Sequence, residues 1–201
     1  MFKRIAITAA LGVSLLFAES GAGININETD LEIEGTLDSR NLASMQTSST
    51  IFQMDFNFLN IEEDNFDAKL IGVGFGATNR FEGIEGVELT FGAKFIWSNV
   101  DTNSNGDGFK ALPLMAKIRY NFPPLMFNIP PVALESKILY APGALAFGDA
   151  ENYREFRASA DMEMIENVRI YAGYRNINTG FEGEDDFTFN NSFFGGIRFI
   201  Y

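Results

Sequence analysis

The sequence predicts an all-β fold: an antiparallel transmembrane β-barrel of about ten strands that follows a cleaved signal peptide. Apolar and polar side chains alternate with a period of two through most of the 201-residue chain, which is the pattern of a strand with two different faces. Aromatic residues lie near the ends of the apolar faces, where a membrane barrel carries its interfacial girdles. The chain also ends on such a strand, with Tyr201 as its last residue.

The composition excludes several classes of function. The chain has no cysteine and no histidine, so it lacks a disulfide framework, a thiolate nucleophile and an imidazole base or metal ligand. Its formal charge of −12 argues against binding to nucleic acid, which requires a basic surface. No pair of carboxylates is marked out as a catalytic pair, and we therefore expect neither an enzyme nor a protein with a cofactor.

Residues 1–18 have the order of charged and apolar residues that is typical of a secretory signal peptide. Lys3 and Arg4 precede an apolar run over residues 5–17, and Ala18 precedes the first acidic residue. This run is shorter than the roughly 20 residues that a membrane-spanning helix needs. We expect cleavage after Ala18, a single barrel domain over 19–201, and export to the outer membrane of a Gram-negative bacterium.

The predicted strands follow one another along the chain with short interruptions. Clear alternation covers the segments 51–59, 87–97, 112–122, 132–140, 154–163, 168–175 and 192–201. A weaker strand covers 66–78, and another begins at Leu31. Residues 20–27 supply a tenth strand, because an even number places both termini of an exported barrel at the same end. A barrel of eight strands, without this N-terminal pair, is the alternative.

Alternation alone does not say which face points inward. In a soluble sandwich or barrel the apolar face forms the core, whereas in a membrane barrel it meets lipid and the charged face lines the interior. The strand lengths suit a tilted crossing of the membrane, and the aromatic girdles favour the same interpretation. With the C-terminus in the periplasm, we expect long outer loops at 99–108, 142–151 and 180–190 and short inner turns at 80–85 and 164–166.

The C-terminal half of the chain resembles the YfaZ family of outer-membrane proteins. The resemblance rests on residues 139–142 (LYAP), on Asn152-Tyr153 with Glu155, and on residues 173–175 (GYR). It covers residues 109–201 best. The resemblance implies an outer-membrane barrel and brings no catalytic residues with it.

The last strand resembles the C-terminal signal that barrel-assembly machinery reads. Gly196, Phe199 and Tyr201 carry this resemblance, and Phe194 stands where a polar residue is usual. We therefore expect two partners, the assembly machinery and outer-membrane lipid.

The inward positions carry charges of both signs, with Glu32, Glu34 and Glu163 among them. Long side chains can meet across a narrow barrel, and buried charges that stay unpaired are costly. The members of the predicted lumen charge network are Asp55, Glu88, Lys94, Lys117, Arg119, Glu135, Lys137, Glu155, Arg157, Asp161, Arg169, Arg175 and Arg198.

These charges predict a lumen that is largely plugged by ion pairs, in a barrel with a structural or envelope-associated role. Arg119, Arg175, Glu135 and Glu155 lie on neighbouring strands, and we expect them to share one network. A narrow porin-like channel for small solutes or ions is the alternative function.

A weak calcium motif begins at Asp101. Asp101, Asn103 and Asn105 match the first half of a calcium-binding loop, but Leu112 occupies the position where a bidentate Glu is required. A solvated loop is therefore the preferred interpretation. The acidic segments 62–64 and 182–186 lie at the same predicted end and are candidate sites for divalent cations.

Overall fold

The computed structural model describes residues 20–39, 50–63, 66–102, 106–123, 130–181 and 186–200. The predicted signal peptide and Tyr201 lie outside the described residues, so the cleavage site remains a prediction. None of the described residues belongs to a helix that is long and apolar enough to cross a membrane.

The described residues form one antiparallel sheet of twelve strand segments. The segments are β1 (Gly21–Ile26), β2 (Asp30–Asp38), β3 (Thr50–Glu63), β4 (Phe66–Arg80), β5 (Val87–Thr102), β6 (Gly106–Ala111), β7 (Leu114–Asn121), β8 (Val132–Ala141), β9 (Ala146–Gly148), β10 (Ala150–Ile165), β11 (Val168–Phe181) and β12 (Phe187–Ile200). One turn of 3₁₀ helix at Gly143–Leu145 precedes β9.

The twelve segments make ten barrel strands, because two of the strands are interrupted. β6 and β7 pair with successive parts of β5 and are separated by Leu112 and Pro113. Pro113 has no N–H to donate to the ladder, which accounts for a break at this point. β8 pairs with β7 and β9 pairs with β6, so these two segments also continue one strand.

Two pairings close the circle: β4 with β5, and β1 with β12. The prediction of ten strands is confirmed. The eight-stranded alternative is wrong, since β1 pairs along its whole length with both β2 and β12.

Both ends of the described chain lie at one end of the barrel, where Gly21 pairs with Ile200. We call this the terminal end and the opposite one the distal end. The strands reach further toward the distal end than the sequence predicts. β5 continues to Thr102 and β6 begins at Gly106, so the predicted long loop at 99–108 is wrong.

The two other predicted long loops are also mostly regular structure. The segment 142–151 contains the 3₁₀ turn, β9 and the start of β10, and β11 and β12 leave only residues 182–186 between them. The longest connections, 39–49 and 122–131, join strands at the terminal end. Loop length therefore gives no support to the predicted orientation of the barrel.

The middle of the barrel exposes apolar side chains on its outer surface. The exposed side chains of this apolar belt are Phe52, Met54, Phe56, Val73, Phe75, Phe91, Phe95, Leu114, Ile118, Leu134, Ile138, Phe156, Ile170, Phe193, Ile197 and Phe199. A continuous apolar surface of this size is unfavourable in water and favourable against lipid. The apolar face of the strands thus points outward along the belt, as expected for a membrane barrel.

The polarity of the two faces reverses toward the distal end. On β3, the outward Phe58 is followed on the same face by Asn60 and Glu62, while Leu59 and Ile61 point inward and are buried. The same reversal brings together an inward apolar cluster, the distal plug, which consists of Leu59, Ile61, Ala68, Leu70, Ile96, Val100, Phe109, Ala111, Leu139, Ala141, Tyr153, Ile177, Phe181 and Phe189. In this section the barrel has an apolar core and a mostly polar exterior, from which Trp97 and Phe147 stand out as exposed apolar side chains.

Candidate functional site: the charged lumen

The charged side chains that the sequence assigns to the interior all lie on inward positions of their strands. They form two larger clusters and two separate ion pairs. The Arg175 cluster consists of Asp30, Glu32, Glu34, Arg157, Arg175 and Arg198. The Arg119 cluster consists of Lys117, Arg119, Glu135, Asp161, Glu163 and Arg169. The separate pairs are Lys94 with Asp55 and Lys137 with Glu155.

Arg175 crosses the lumen to two acidic side chains of β2. Its Nη2 lies 2.7 Å from Asp30 Oδ2, and its Nη1 lies 2.5 Å from Glu32 Oε2. The three side chains are at most 4% exposed, so this is a buried salt bridge for which water offers little compensation. It ties β11 to β2 across β12 and β1, which separate these strands in the sheet.

Glu32 is the most highly coordinated carboxylate of this cluster. Arg157 Nη1 approaches its Oε2 to 3.2 Å, and the side-chain amides of Asn25 and Asn57 each donate a hydrogen bond of 2.9 Å to it. Together with Arg175 these groups compensate for burying the charge. Glu34 is held in a similar way, at 2.6 Å from Arg198 and 3.1 Å from Arg157.

Aromatic rings support the guanidinium groups from the inner face of β11 and β12. Arg157 lies over the ring of Phe194 at 4.5 Å and Arg198 over the ring of Tyr171 at 4.9 Å. Such cation–π contacts stabilise a cation that has little access to water. They explain why an apolar residue, Phe194, lies on the polar face of the last strand.

The Arg119 cluster lies nearer the terminal end and is more open to water. Arg119 Nη1 lies 2.7 Å from Asp161 Oδ2 and 3.4 Å from Glu135 Oε2, and Arg169 approaches Asp161 to 2.6 Å. The side chains of Arg119 and Glu135 are both 15% exposed. Glu88, opposite Arg119 in the register of β5 and β7, forms no ion pair with any of the described residues.

The pair formed by Lys94 and Asp55 lies against a wall of glycines. The two charged atoms are 2.5 Å apart, and the inward positions of β4 beside them are Gly72 and Gly74. A Cβ atom at Gly74 would overlap the Asp55 carboxylate, and one at Gly72 would overlap Lys94. The weak alternation over 66–78 thus reflects space reserved for this ion pair.

The expected single network of Arg119, Arg175, Glu135 and Glu155 is wrong in its connectivity. Arg119 and Glu135 share one cluster, Arg175 belongs to the other, and Glu155 pairs with Lys137 at 3.5 Å. The four residues lie on neighbouring strands but at different depths. Glu135 is opposite Ser159 on β10, and Glu155 lies four residues further along that strand, or about 13 Å at the rise of a β-strand.

Several residues of the lumen are missing from the sequence-based site. Asp30 lies just before the strand that is predicted to begin at Leu31, but in the structure it begins β2 and forms an ion pair with Arg175. The period-two pattern of Asp30, Glu32 and Glu34 is a signal that could have found it. The polar partners Asn25, Asn57, Asn190, Tyr153 and Tyr171 carry no such signal, because neutral side chains occur on either face.

A small cavity of about 70 Å³ remains between these groups, on the terminal side of the distal plug. Its charged lining residues are Glu32, Glu34, Asp55, Lys94, Lys117, Glu135, Lys137, Arg157 and Arg198. The side chains of Lys117, Lys137 and Arg198 are 14–24% exposed, whereas many plug residues are at most 2% exposed. The charged groups at the terminal side of the cavity are thus more exposed than the side chains of the distal plug.

The weak calcium motif is only partly described. Asp101 lies at the end of β5, where its backbone pairs with Gly106 of β6, and Asn103 and Asn105 lie outside the described residues. Within the described part of the chain, no group of three or more acidic side chains is placed to hold a metal ion.

The residues of the C-terminal signal occupy different faces of β12. Phe199 points outward, is 47% exposed and pairs with Ala22 and Val168. Gly196 points inward next to the ring of Tyr171, where a Cβ atom would overlap that ring. Tyr201 lies outside the described residues.

Comparison with known proteins found similar solved structures and one matching family. The NanC porin, a solved structure, is 10% identical with a TM-score of 0.44, covering 90% of this chain and 98% of its own. The translocator domain of the autotransporter NalP from Neisseria meningitidis is 9% identical with a TM-score of 0.39, covering 100% and 95%. No curated protein matches the sequence. Residues 2–201 match the model of the YfaZ precursor family, and the chain belongs to this family.

Proposed function

We propose that this chain is an integral outer-membrane β-barrel with a structural role in the envelope, and that its lumen is closed to solutes. The observation that carries the proposal is the distal plug. Phe109 at its centre packs against Phe189 at 5.6 Å and against Tyr153 and Phe181 at 6.0 Å. Side chains from opposite walls of the barrel thus fill the distal lumen.

The energetics of the plug favour a permanently closed state. Exposing one buried aromatic or aliphatic side chain to water costs about 1.5–3 kcal/mol. A continuous water path would expose several members of the plug at once and would also separate buried ion pairs such as Arg175 with Asp30. Opening would therefore require a rearrangement of the strands, beyond the rotation of one side chain.

The outer-membrane location is supported by the apolar belt, by membership of the YfaZ precursor family and by the predicted signal peptide. We expect the mature chain to fractionate with outer membranes and to resist extraction by carbonate. Recovery of the folded chain in the soluble periplasm would contradict this location.

The proposal includes no catalytic role. A glycosidase-type site needs a pair of carboxylates that are free to act as acid and as base or nucleophile. Glu32, Glu34 and Asp55, which line the cavity, are instead each held by a cation at 2.5–2.6 Å.

Conductance of the refolded mature chain in planar bilayers tests the closed lumen. We expect the unaltered protein to be silent, and the double variant Phe109→Ala with Phe189→Ala to leak, because it removes two rings from the plug. Phe91→Ala, which shortens an exposed side chain of the belt, is the control and should stay silent. A gel shift on heating reports whether each variant is folded.

Discrete openings of the unaltered protein would contradict the proposal and would favour the narrow channel. A double variant that is folded and still silent would show that the plug is not what closes the barrel.

A further inference from the structure

We propose that the cavity in the charged lumen binds one small oxyanion, of the size of inorganic phosphate, which enters from the terminal end. The inference rests on the proposed function in one respect, that the lumen ends blindly at the distal plug. It adds a ligand to a barrel that would otherwise be only structural. The charged groups around the cavity differ in whether they already have close partners.

The acidic groups of the cavity are mostly satisfied. Glu32 accepts from Arg175 at 2.5 Å and from two amides, Glu34 accepts from Arg198 at 2.6 Å, and Asp55 accepts from Lys94 at 2.5 Å. A bound cation would have to compete with these partners for the same oxygen atoms. Three of the four acidic lining residues therefore offer little to a cation, while Glu135 is held less closely, at 3.4 Å from Arg119 and 4.0 Å from Lys117.

Three basic groups of the cavity are not satisfied to the same extent. Lys117 Nζ is 4.0 Å from Glu135 and donates one hydrogen bond, of 3.1 Å, to Gln53. Lys137 Nζ is 3.5 Å from Glu155. Arg157 Nη2 has no hydrogen-bond partner among the described residues, although the side chain is only 5% exposed.

These groups leave spare N–H donors around one space. An ammonium group has three donors and a guanidinium group five, and buried donors of this kind normally find an acceptor. An oxyanion offers only strong acceptors and would form charge-assisted hydrogen bonds with all three residues. Asn57 Oδ1, in the same wall, also lacks a partner, and the hydroxyl of hydrogen phosphate would donate to it.

The dimensions of the cavity suit a small ligand. A water molecule needs about 10–15 Å³ of such space, so a cavity of about 70 Å³ has room for several waters or for one small oxyanion. Because the plug blocks the distal side, the ligand must come from the terminal end.

Thermal unfolding of the folded barrel in a zwitterionic detergent tests the proposal, with loss of the gel shift as the readout. Inorganic phosphate is added at constant ionic strength against sodium gluconate, whose singly charged anion is bulkier than phosphate. We expect phosphate to raise the unfolding midpoint with saturation, since a ligand that binds only the folded state stabilises it.

A matched pair of variants locates the binding site. Lys117→Gln removes one of the three spare cations and disturbs only a 4.0 Å ion pair and one hydrogen bond to Gln53, so it should fold and bind phosphate at least about tenfold more weakly. Lys110→Gln removes an exposed cation from the outer surface of β6 and should bind like the unaltered chain.

Two results would overturn the proposal. A midpoint that does not respond to phosphate would mean that the cavity holds water only, and an equal response of both variants would place the anion elsewhere. The measurement needs no membrane, so its outcome is independent of conductance. A protein that conducts and also binds phosphate in the lumen would overturn the closed barrel but not the anion site.

Discussion

Single residues of the lumen differ in how well water can replace a lost partner. The side chains of Arg175 and Asp30 are 1% and 0% exposed, whereas those of Arg119 and Glu135 are both 15% exposed. Removing one member of a buried pair leaves an uncompensated charge, and the cost falls as solvent screens that charge. The two arginines should therefore not be equivalent, although the sequence pattern alone treats them alike.

We predict that Arg175→Met lowers the free energy of unfolding by about 3–5 kcal/mol, because Asp30 loses its cation in a dry environment. Arg119→Met should cost clearly less, since Arg169 remains beside Asp161 at 2.6 Å and water reaches Glu135. The temperature at which half of each variant has lost its gel shift measures its stability. Arg154→Met, which changes an exposed side chain, is the control. Equal losses for Arg175→Met and Arg119→Met would contradict this view of the lumen.

The glycines of β4 give a second prediction at this scale. Gly74→Ala should displace the carboxylate of Asp55 and separate it from Lys94, because the new methyl group overlaps that carboxylate. Gly35→Ala is the matched control, since the nearest atom to a Cβ there is the carbonyl oxygen of Gly21 at 3.9 Å. We expect a lower unfolding midpoint for Gly74→Ala alone. A Gly74→Ala variant as stable as the control would contradict this prediction, because the neighbouring side chains would then have moved to accommodate the methyl group.

Period-two alternation was sufficient to place residues such as Arg175 and Glu32 on the inner face, but it could not assign their partners. Partner choice depends on depth in the barrel, and depth depends on the register and tilt of every intervening strand. Arg175 and Glu32 are separated by 143 positions in the chain. No local pattern relates positions so far apart.

At the scale of the elements, the C-terminal strand combines two roles. Its outward residues Phe193, Ile197 and Phe199 belong to the apolar belt, while Phe194 and Arg198 serve the lumen. β12 also closes the barrel by pairing with both β1 and β11. A substitution on its outer face should therefore affect insertion and assembly and leave the lumen contacts intact.

We predict that Phe199→Asp abolishes assembly into the outer membrane. A charge near the edge of the belt costs only about 0–1 kcal/mol in lipid, so most of the loss should come from the damaged C-terminal signal. Phe199→Leu keeps the position apolar and should retain partial assembly. Asn191→Asp, an isosteric change on the same face of β12, is the control and should assemble normally. Normal amounts of folded barrel with Phe199→Asp would contradict the assignment of this signal.

The interruption of two strands could not be predicted from alternation. The predicted strand at 112–122 begins at the break itself, and residues 106–108 fall within the predicted long loop at 99–108. In the structure these residues pair with β5. A strand partner on either side can hold glycines in an extended conformation in spite of their low β-propensity.

At the scale of the whole molecule, the apolar belt is displaced toward the terminal end. Exposed apolar side chains continue there into the connection after β4, at Phe81 and Ile84, and to the end of β10, at Met164 and Ile165. At the distal end the strands instead project beyond the belt with a polar exterior. Period-two alternation predicts one polarity for each strand throughout, although Asn60 and Glu62 after Phe58 mark the reversal on β3.

This displacement predicts how the barrel sits in its membrane. The terminal end should lie level with the inner surface of the outer membrane, while the distal section projects outside the cell.

The chain has no cysteine, so single cysteines report on each end without background. Lys69→Cys lies on the exposed outer surface of the distal section and Glu85→Cys in the exposed connection at the terminal end. A charged maleimide dye that is too large to pass the outer membrane should label Lys69→Cys in intact cells, and Glu85→Cys only after the outer membrane is opened. Labelling of Glu85→Cys alone in intact cells would show that the barrel has the opposite orientation. The terminal end, through which the proposed oxyanion enters the cavity, would then face the exterior.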